Sequence, residues 1–365
     1  MEGGFPADMD KRVKEIPLAK SFEENFLGPQ EVPLWGSLAV IVLSGIASLW
    51  VLLDAGNRGL GSRNPLANRA LLWAIGVFLA LPIILPLYLL WGRPVGVLAP
   101  CPSCNRPTLA HRAYCLHCGF PRDFEPPPRA WGIGEIVGIT AMFSMTLPLL
   151  AGMAGTLPAS GLLPLSAYVV VQNAFFVFLS LHVVQRRYRL TPDVLGWRWS
   201  SWQRDLLLGV CIGAMALGLS ILAEEAVIRG IGLFLERERV LEMAQSEHSR
   251  DPILTLLTRP VSYIELIWLF LLLLVVVPMG EETFFRGLVF GWLRARWDRH
   301  VAVWASALFF ALVHQQIVHF LPVLVLGGIL GYLREFTRGL LSPMAVHALN
   351  NAVVILSVYL FHRPF

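Results

Sequence analysis

Apolar runs of about twenty residues recur along the sequence, and each is as long as a helix that crosses a bilayer's hydrocarbon core. Val32–Leu53 is the first. Ala70–Trp91 follows with Pro82 and Pro86 inside it, which membrane helices tolerate. The later runs are Ile133–Met153, Leu165–Val184, Leu206–Ala223, Leu266–Leu293, Val301–Val313, Val318–Leu333 and Ser342–Phe361. They predict an all-α polytopic membrane protein with about nine transmembrane helices. Composition agrees: 56 % of residues are hydrophobic and 15 % charged, with a mean hydropathy of +0.62. Soluble domains carry about 25 % charged residues, so a soluble enzyme and a disordered chain are both excluded. The formal net charge of +4 is too small at this length to argue for nucleic acid, and none is expected as a partner.

Residues 1–31 are polar and mixed in charge, without an apolar core of signal-peptide length, so no cleaved leader is expected there. Lys and Arg in short loops set orientation. Loop 92–132 carries Arg93, Arg106, Arg112, Arg122 and Arg129, and loop 185–205 carries Arg186, Arg187, Arg189, Arg198 and Arg204. Loop 154–164 has neither Lys nor Arg. Both basic loops are therefore expected on the cytoplasmic side. Alternation brings the N-terminal segment, with Lys11, Arg12, Lys14 and Lys20, to the same side. The expected setting is a bacterial inner membrane. The chain divides into a cytoplasmic segment 1–31, a two-span anchor 32–92, a polar island 93–130 and a membrane bundle 131–365. Stretch 224–263, charged with both signs, reads as an interfacial, partly helical excursion. None of these patterns encodes an oligomeric state.

The island contains CPSCNRPTLAHRAYCLHCGFPRD, with Cys101-x2-Cys104 and Cys115-x2-Cys118. Two CxxC knuckles direct four thiolates at one ion in the tetrahedral arrangement of a structural zinc site. A reducing cytoplasm disfavours the competing pair of disulfides. Gly119 follows the second knuckle, where a positive φ is often needed. The island resembles a minimal zinc ribbon with a structural Zn2+ on Cys101, Cys104, Cys115 and Cys118. All four positions are filled, so it is closed to catalysis. His111 and His117 read as surface residues. Cys211, inside a span, reads as a small core residue.

Charged groups within a span are costly and mark function. Pro278-Met279-Gly280-Glu281-Glu282-Thr283-Phe284-Phe285-Arg286-Gly287 sets two carboxylates behind a short apolar stretch. They are expected at membrane depth, with Pro278 and Gly280 breaking or kinking the helix ahead of them. Arg286 lies four residues beyond Glu282 and can pair with it on one helix face. Glu281 points elsewhere and is left available as a general base. The competing reading is a charge pair at a helix start in the interface. Two further spans contribute. Phe310-Ala311-Leu312-Val313-His314 ends one of them, and His347 and Asn351 stand at i and i+4 on the last. Two histidines, an amide and two carboxylates in one bundle can converge on one water.

EExxxR, FxxxH and HxxxN in this order resemble the CAAX-protease and bacteriocin-processing (CPBP, or Abi) family of intramembrane endopeptidases, over residues 131–361. The resemblance implies that Glu281 and His314 activate the hydrolytic water. It implies that His347 and Asn351 stabilise the oxyanion, with Glu282 and Arg286 in support. The substrate would be a membrane-associated protein or peptide, cut at the lipid bilayer. No HExxH occurs, which favours a metal-free glutamate mechanism over a zinc-dependent one at the same residues. The alternatives are a catalytically inactive scaffold, immunity or receptor-like protein on the same fold, and a proton-relaying transporter. The lack of an inverted repeat between halves weakens the last.

A second EExxxRG, Glu224-Glu225-Ala226-Val227-Ile228-Arg229-Gly230, has no FxxxH after it at the corresponding interval. It stands beside a charged loop and reads as an interfacial helix end, whose substitution would leave hydrolysis nearly intact. His182, His248, His300 and His362 join no such constellation. His319, five residues past His314, is a reserve candidate.

Overall fold

The computed structural model describes residues 34–62, 64, 67–122, 131–146, 148–149, 162–233, 237–249 and 262–361. The expectations for segment 1–31, for 154–161 and for His362 lie outside these residues. Helices dominate. In chain order they are α1 (Leu34–Ala55), α2 (Arg69–Leu79), α3 (Leu81–Gly92), α4 (Ile133–Thr146), α5 (Leu162–Arg187) and α6 (Trp202–Ile231). After them come α7 (Arg237–Ser249), α8 (Tyr263–Arg294), α9 (Arg299–Val313), α10 (Phe320–Thr337) and α11 (Leu341–Phe361). Strands β1 (Leu98–Pro100) and β2 (Pro107–Leu109) form one antiparallel pair in the cysteine island.

Six described helices, α1, α5, α6, α8, α10 and α11, are long and apolar enough to cross a membrane. The shorter apolar helices are α2, α3, α4 and α9. Their outer faces are apolar as well: Leu38, Val40, Ile41, Val42 and Leu43 of α1 are all exposed. A row of that kind calls for lipid against it. The chain is an integral membrane protein. Cys211, expected in the core, is exposed on α6 instead.

Ala70–Trp91 is not one span. The chain turns at Ala80 (φ −145°, ψ 58°), and α3 runs back along α2. Ile84 lies against Gly76, and Trp73 against Gly92. The 11 residues of α2 rise about 16 Å, half of a hydrocarbon core of about 30 Å. The hairpin therefore enters and leaves on the same side. Proline explains the turn, because Pro82 in the first turn of α3 lacks only an N–H that a helix start leaves unpaired. It begins a helix better than it continues one.

That hairpin changes the topology of the anchor. Asp54, at the end of α1, accepts hydrogen bonds from Arg58 (3.0 Å), from Nε and Nη2 of Arg93 (2.9 Å each) and from the Tyr88 hydroxyl (2.6 Å). Arg58 also donates to Pro94 O and Gly96 O, each at 2.8 Å. The cysteine island thus stands at the Ala55 end of α1. Leu34 is about 33 Å away along the 22-residue helix. Alternation over two anchor spans puts the N-terminal segment and the island on one side. In the structure the hairpin folds back on itself, and Leu34 and the island stand at opposite ends of α1.

The two Arg-rich loops do meet on one face. Arg187, ending α5, donates to Leu90 O (2.7 Å), Arg93 O (3.0 Å) and Glu135 (3.0 Å). Deeper in the bundle, Phe284 of α8 stacks on Phe176 of α5 at 4.8 Å, and Phe285 meets Phe310 of α9 edge-on at 5.0 Å. α8 runs unbroken through Pro278 and Gly280. Leu272–Val276 forms a widened π-type turn, and α geometry resumes at Val277, with right-handed helical angles at the junctions. The expected break is absorbed by this change of register, a common response to a proline's missing N–H. Gly280 has another task. The side chain of Asn173 on α5 occupies the space its Cβ would take, so α5 closes against α8 beside Glu281.

Candidate active site and metal centre

Two turns of one design hold the cysteines. Asn105 N–H donates to Cys101 O and Gly119 N–H to Cys115 O, each at 2.9 Å. Cys101 N–H reaches Arg106 O (3.0 Å) and Cys115 N–H reaches Phe120 O (2.9 Å). The residue after each CxxC has a positive φ, 56° at Asn105 and 73° at Gly119, a conformation that Gly and Asn adopt most readily. The knuckles face each other. Sγ of Cys101 is 3.7 Å from that of Cys118, and Sγ of Cys104 is 3.8 Å from that of Cys115. All four lie within 4.8 Å of one another.

Metal–sulfur bonds of about 2.3 Å in a tetrahedron separate the sulfurs by about 3.8 Å. The four thiolates fit such an ion. Burial alone would raise the Cys115 thiol, but the N–H groups of His117 and Cys118 outweigh it and pull it down to about 6. His117 and His111 stand outside the cluster, with His117 Nε2 3.2 Å from Pro107 O. The full chain, purified under reducing conditions, is expected to carry one metal ion in this site. Elemental analysis of a Cys101→Ser/Cys115→Ser variant should find almost none. An undiminished metal content would move the site elsewhere.

The three motifs of the bundle meet around one cavity of about 530 Å³. Glu281 of α8, His314 at the end of α9, and His347 and Asn351 of α11 all line it. Glu282 and Arg286 lie behind them with no exposed surface, which excludes a charge pair in the interface. Arg286 Nη1 donates to Glu282 Oε1 at 3.1 Å, and the same oxygen accepts from His347 Nδ1 at 2.9 Å. The guanidinium also lies 4.2 Å over the Phe310 ring. Pairing is what permits two charges at that depth.

Tautomers follow from the partners. A carboxylate and a carbonyl only accept, so Nδ1 carries the proton in His347, facing Glu282, and in His314, facing Phe310 O at 2.7 Å. Nε2 is the working atom of each ring. That of His347 stands 3.9 Å from Glu281 Oε2, an oxygen with no hydrogen-bond partner among the described residues.

The widened turn of α8 also fixes Asn351. Its pattern pairs Val277 N–H with Leu272 O, five residues back. The next donor in that register would be Pro278, which has none. Leu273 O is left over, and Asn351 Nδ2 donates to it at 2.8 Å. One N–H of the amide is engaged there, and the other stays available.

Groups that sequence reasoning set aside reach the same cavity. Glu224 and His319 line it. His319 Nε2 is 3.6 Å from Glu224, and its Nδ1 is 2.9 Å from Glu247 of α7. The first EExxxRG is therefore split. Arg229 pairs with Glu225 at 2.6 Å on an exposed face, as an interfacial helix end does, while Glu224 turns inward. Adjacent carboxylates point about 100° apart on a helix, and that was the available signal. Which face of α6 packs on α10 and α11 was not legible.

The cavity lies in the half of the bundle away from the island. Its α5 residues, Leu165–Asn173, precede Arg187 by several turns, and its α6 residues, Leu217–Glu224, are remote from Trp202.

Residues 263–353 match the sequence model of a family described as type II CAAX prenyl endopeptidase Rce1-like. The matched stretch holds all three motifs, from Glu281 to Asn351. No curated protein and no solved structure matches the chain.

Proposed function

We propose that this chain, Rce1-like over residues 263–353, is an intramembrane endopeptidase of the CAAX-protease type. One observation carries the reading: Glu281, His314 and His347 reach a single cavity from three helices. A water there passes a proton to Glu281, assisted by His314 Nε2, as its oxygen attacks the scissile carbonyl carbon. The carbonyl oxygen gains negative charge and takes hydrogen bonds from the second Asn351 N–H and from His347. In its cationic form, with Nδ1–H on Glu282, His347 donates from Nε2. The C–N bond then breaks, and the proton held by Glu281 goes to the leaving amine. Glu282 and Arg286 position His347. A membrane-associated protein or peptide is the substrate.

For the island we propose structural zinc, since four thiolates leave no open position for catalysis. The Arg-rich loops support a cytoplasmic island, and a bacterial inner membrane is the proposed setting. The anchor at 32–92, the module at 93–130 and the bundle from 131 onward are proposed as units.

Membrane proteomes of cells making wild type or His314→Ala test the function. Uncut membrane-associated protein is expected to accumulate only with the variant. Identical proteomes from well-folded, inserted protein would favour a binding protein on this fold.

A further inference from the structure

Glu247 ties α7 to the connection ahead of α10. Its carboxylate accepts from the N–H groups of Ile317 (2.6 Å), Val318 (3.0 Å) and His319 (3.3 Å), and it meets His319 Nδ1 at 2.9 Å. These N–H groups lie just ahead of α10, whose N-cap residue, His319, gives no side-chain cap of its own. Of these, the His319 N–H is one of the donors that a helix start leaves open, and the carboxylate stands at the positive end of the helix dipole. On α7 itself Glu247 is in the last turn, the unfavourable end for a negative charge. Its own helix does not explain its place. The contact with the next segment does.

That segment begins at His314. α9 ends at Val313, Gln315 turns the chain with a φ of 55°, and His319 is held between Glu247 and Glu224. A five-residue connection gripped at its far end has little freedom to carry His314 out of the cavity.

We propose that Glu247 is a positioning residue for hydrolysis: through His319 and the 315–319 loop, with Glu224 as the second grip, α7 holds His314 in place. This rests on the reading of His314 as part of the hydrolytic set.

The grip has a pH window. The charged groups that face His319 are Glu224 from α6 and Glu247 from α7, and His314 and Glu281 share its cavity. Burial lowers His319, but its close contact with Glu224, its hydrogen bond to Glu247 and the charges of both outweigh this and hold it above its ordinary 6.5. Burial raises Glu247, and the N–H groups of Val318 and Ile317 with the His319 ring hold it below its ordinary 4.5. The raised His319 contributes fully below 6.5 and loses its contribution as pH rises through its folded value. The depressed Glu247 contributes above 4.5 and loses its contribution as pH falls through its folded value. Protection of the loop is therefore expected to be fullest between 4.5 and 6.5.

Amide hydrogen exchange of the full chain in lipid nanodiscs, read on 315–319, is the test, with membrane proteomes compared in parallel. Glu247→Ala should raise exchange of the loop by about tenfold or more while α8 and α11 stay protected. It should also accumulate the uncut proteins seen with His314→Ala. Glu247→Gln, which keeps one acceptor oxygen for the backbone N–H groups but neither the charge nor the second oxygen, should restore only part of both. Glu281→Gln should accumulate uncut protein with exchange unchanged. Unchanged exchange in Glu247→Ala overturns the grip. Raised exchange with normal processing overturns positioning. If His314→Ala itself accumulates nothing, the endopeptidase reading falls and positioning falls with it, whereas the exchange result still decides whether the grip exists.

Discussion

Glu281→Gln is expected to slow proteolysis by about 10²- to 10⁴-fold, the usual contribution of a positioned general base. Glutamine keeps the shape of the side chain and cannot take the water's proton. The Glu282–Arg286–His347 array behind it keeps its direct hydrogen bonds without Glu281, since Glu282 Oε1 holds both partners. Folding should therefore be preserved while turnover is lost. The measurement is the rate on the protein that accumulates uncut with His314→Ala. A variant that keeps wild-type turnover would remove Glu281 from the mechanism.

Metal dependence is separable in the same assay. With Cys101, Cys104, Cys115 and Cys118 replaced, a chelator should leave the activity unchanged. Chelator-sensitive activity restored by zinc would instead make His314, His347 and a glutamate the ligands. Both rings present Nε2 with Nδ1 oriented by an oxygen, an arrangement that also suits metal-ligating histidines.

Arg286→Met should destabilise the bundle by about 3–5 kcal/mol, because it leaves a buried carboxylate without its cation. Both members of the pair have no exposed surface, and the guanidinium also covers the Phe310 ring. Adding Glu282→Gln should return much of the loss, since neutral groups of similar volume replace the pair. The double variant would fold yet stay nearly inactive, because His347 would no longer be oriented by a carboxylate. Thermal unfolding of the three variants in nanodiscs checks the stability order. Additive losses would mean that the pair is not coupled.

Features that depend on a single stretch of chain were legible in advance. An apolar run has the length of a bilayer whatever surrounds it, and the long helices follow their runs closely. Spacing of i and i+4 puts Glu282 and Arg286 on one face in any helix, and they pair. The doubled CxxC needs only two local turns, and the four sulfurs cluster. Hydropathy, however, sums residues without registering a reversal of direction. Both arms of the α2–α3 hairpin are apolar, so Ala70–Trp91 read as one crossing where the structure reverses at Ala80.

Amino-acid sequence alone thus determined the membrane class, the cysteine cluster and the motif residues, because each rests on local chemistry at fixed spacing. Tertiary structure alone decided the rest. Asn351 meets Leu273 O only because a widened turn and Pro278 leave that carbonyl without a donor. Glu224 enters the cavity because one face of α6 packs on α10 and α11, and a helix apolar on every side does not declare which face that is. Glu247 caps a helix from 72 residues away, with no signature in either segment. Contacts between distant helices are settled by packing, where a carboxylate seeks whichever unpaired donors the fold brings to it.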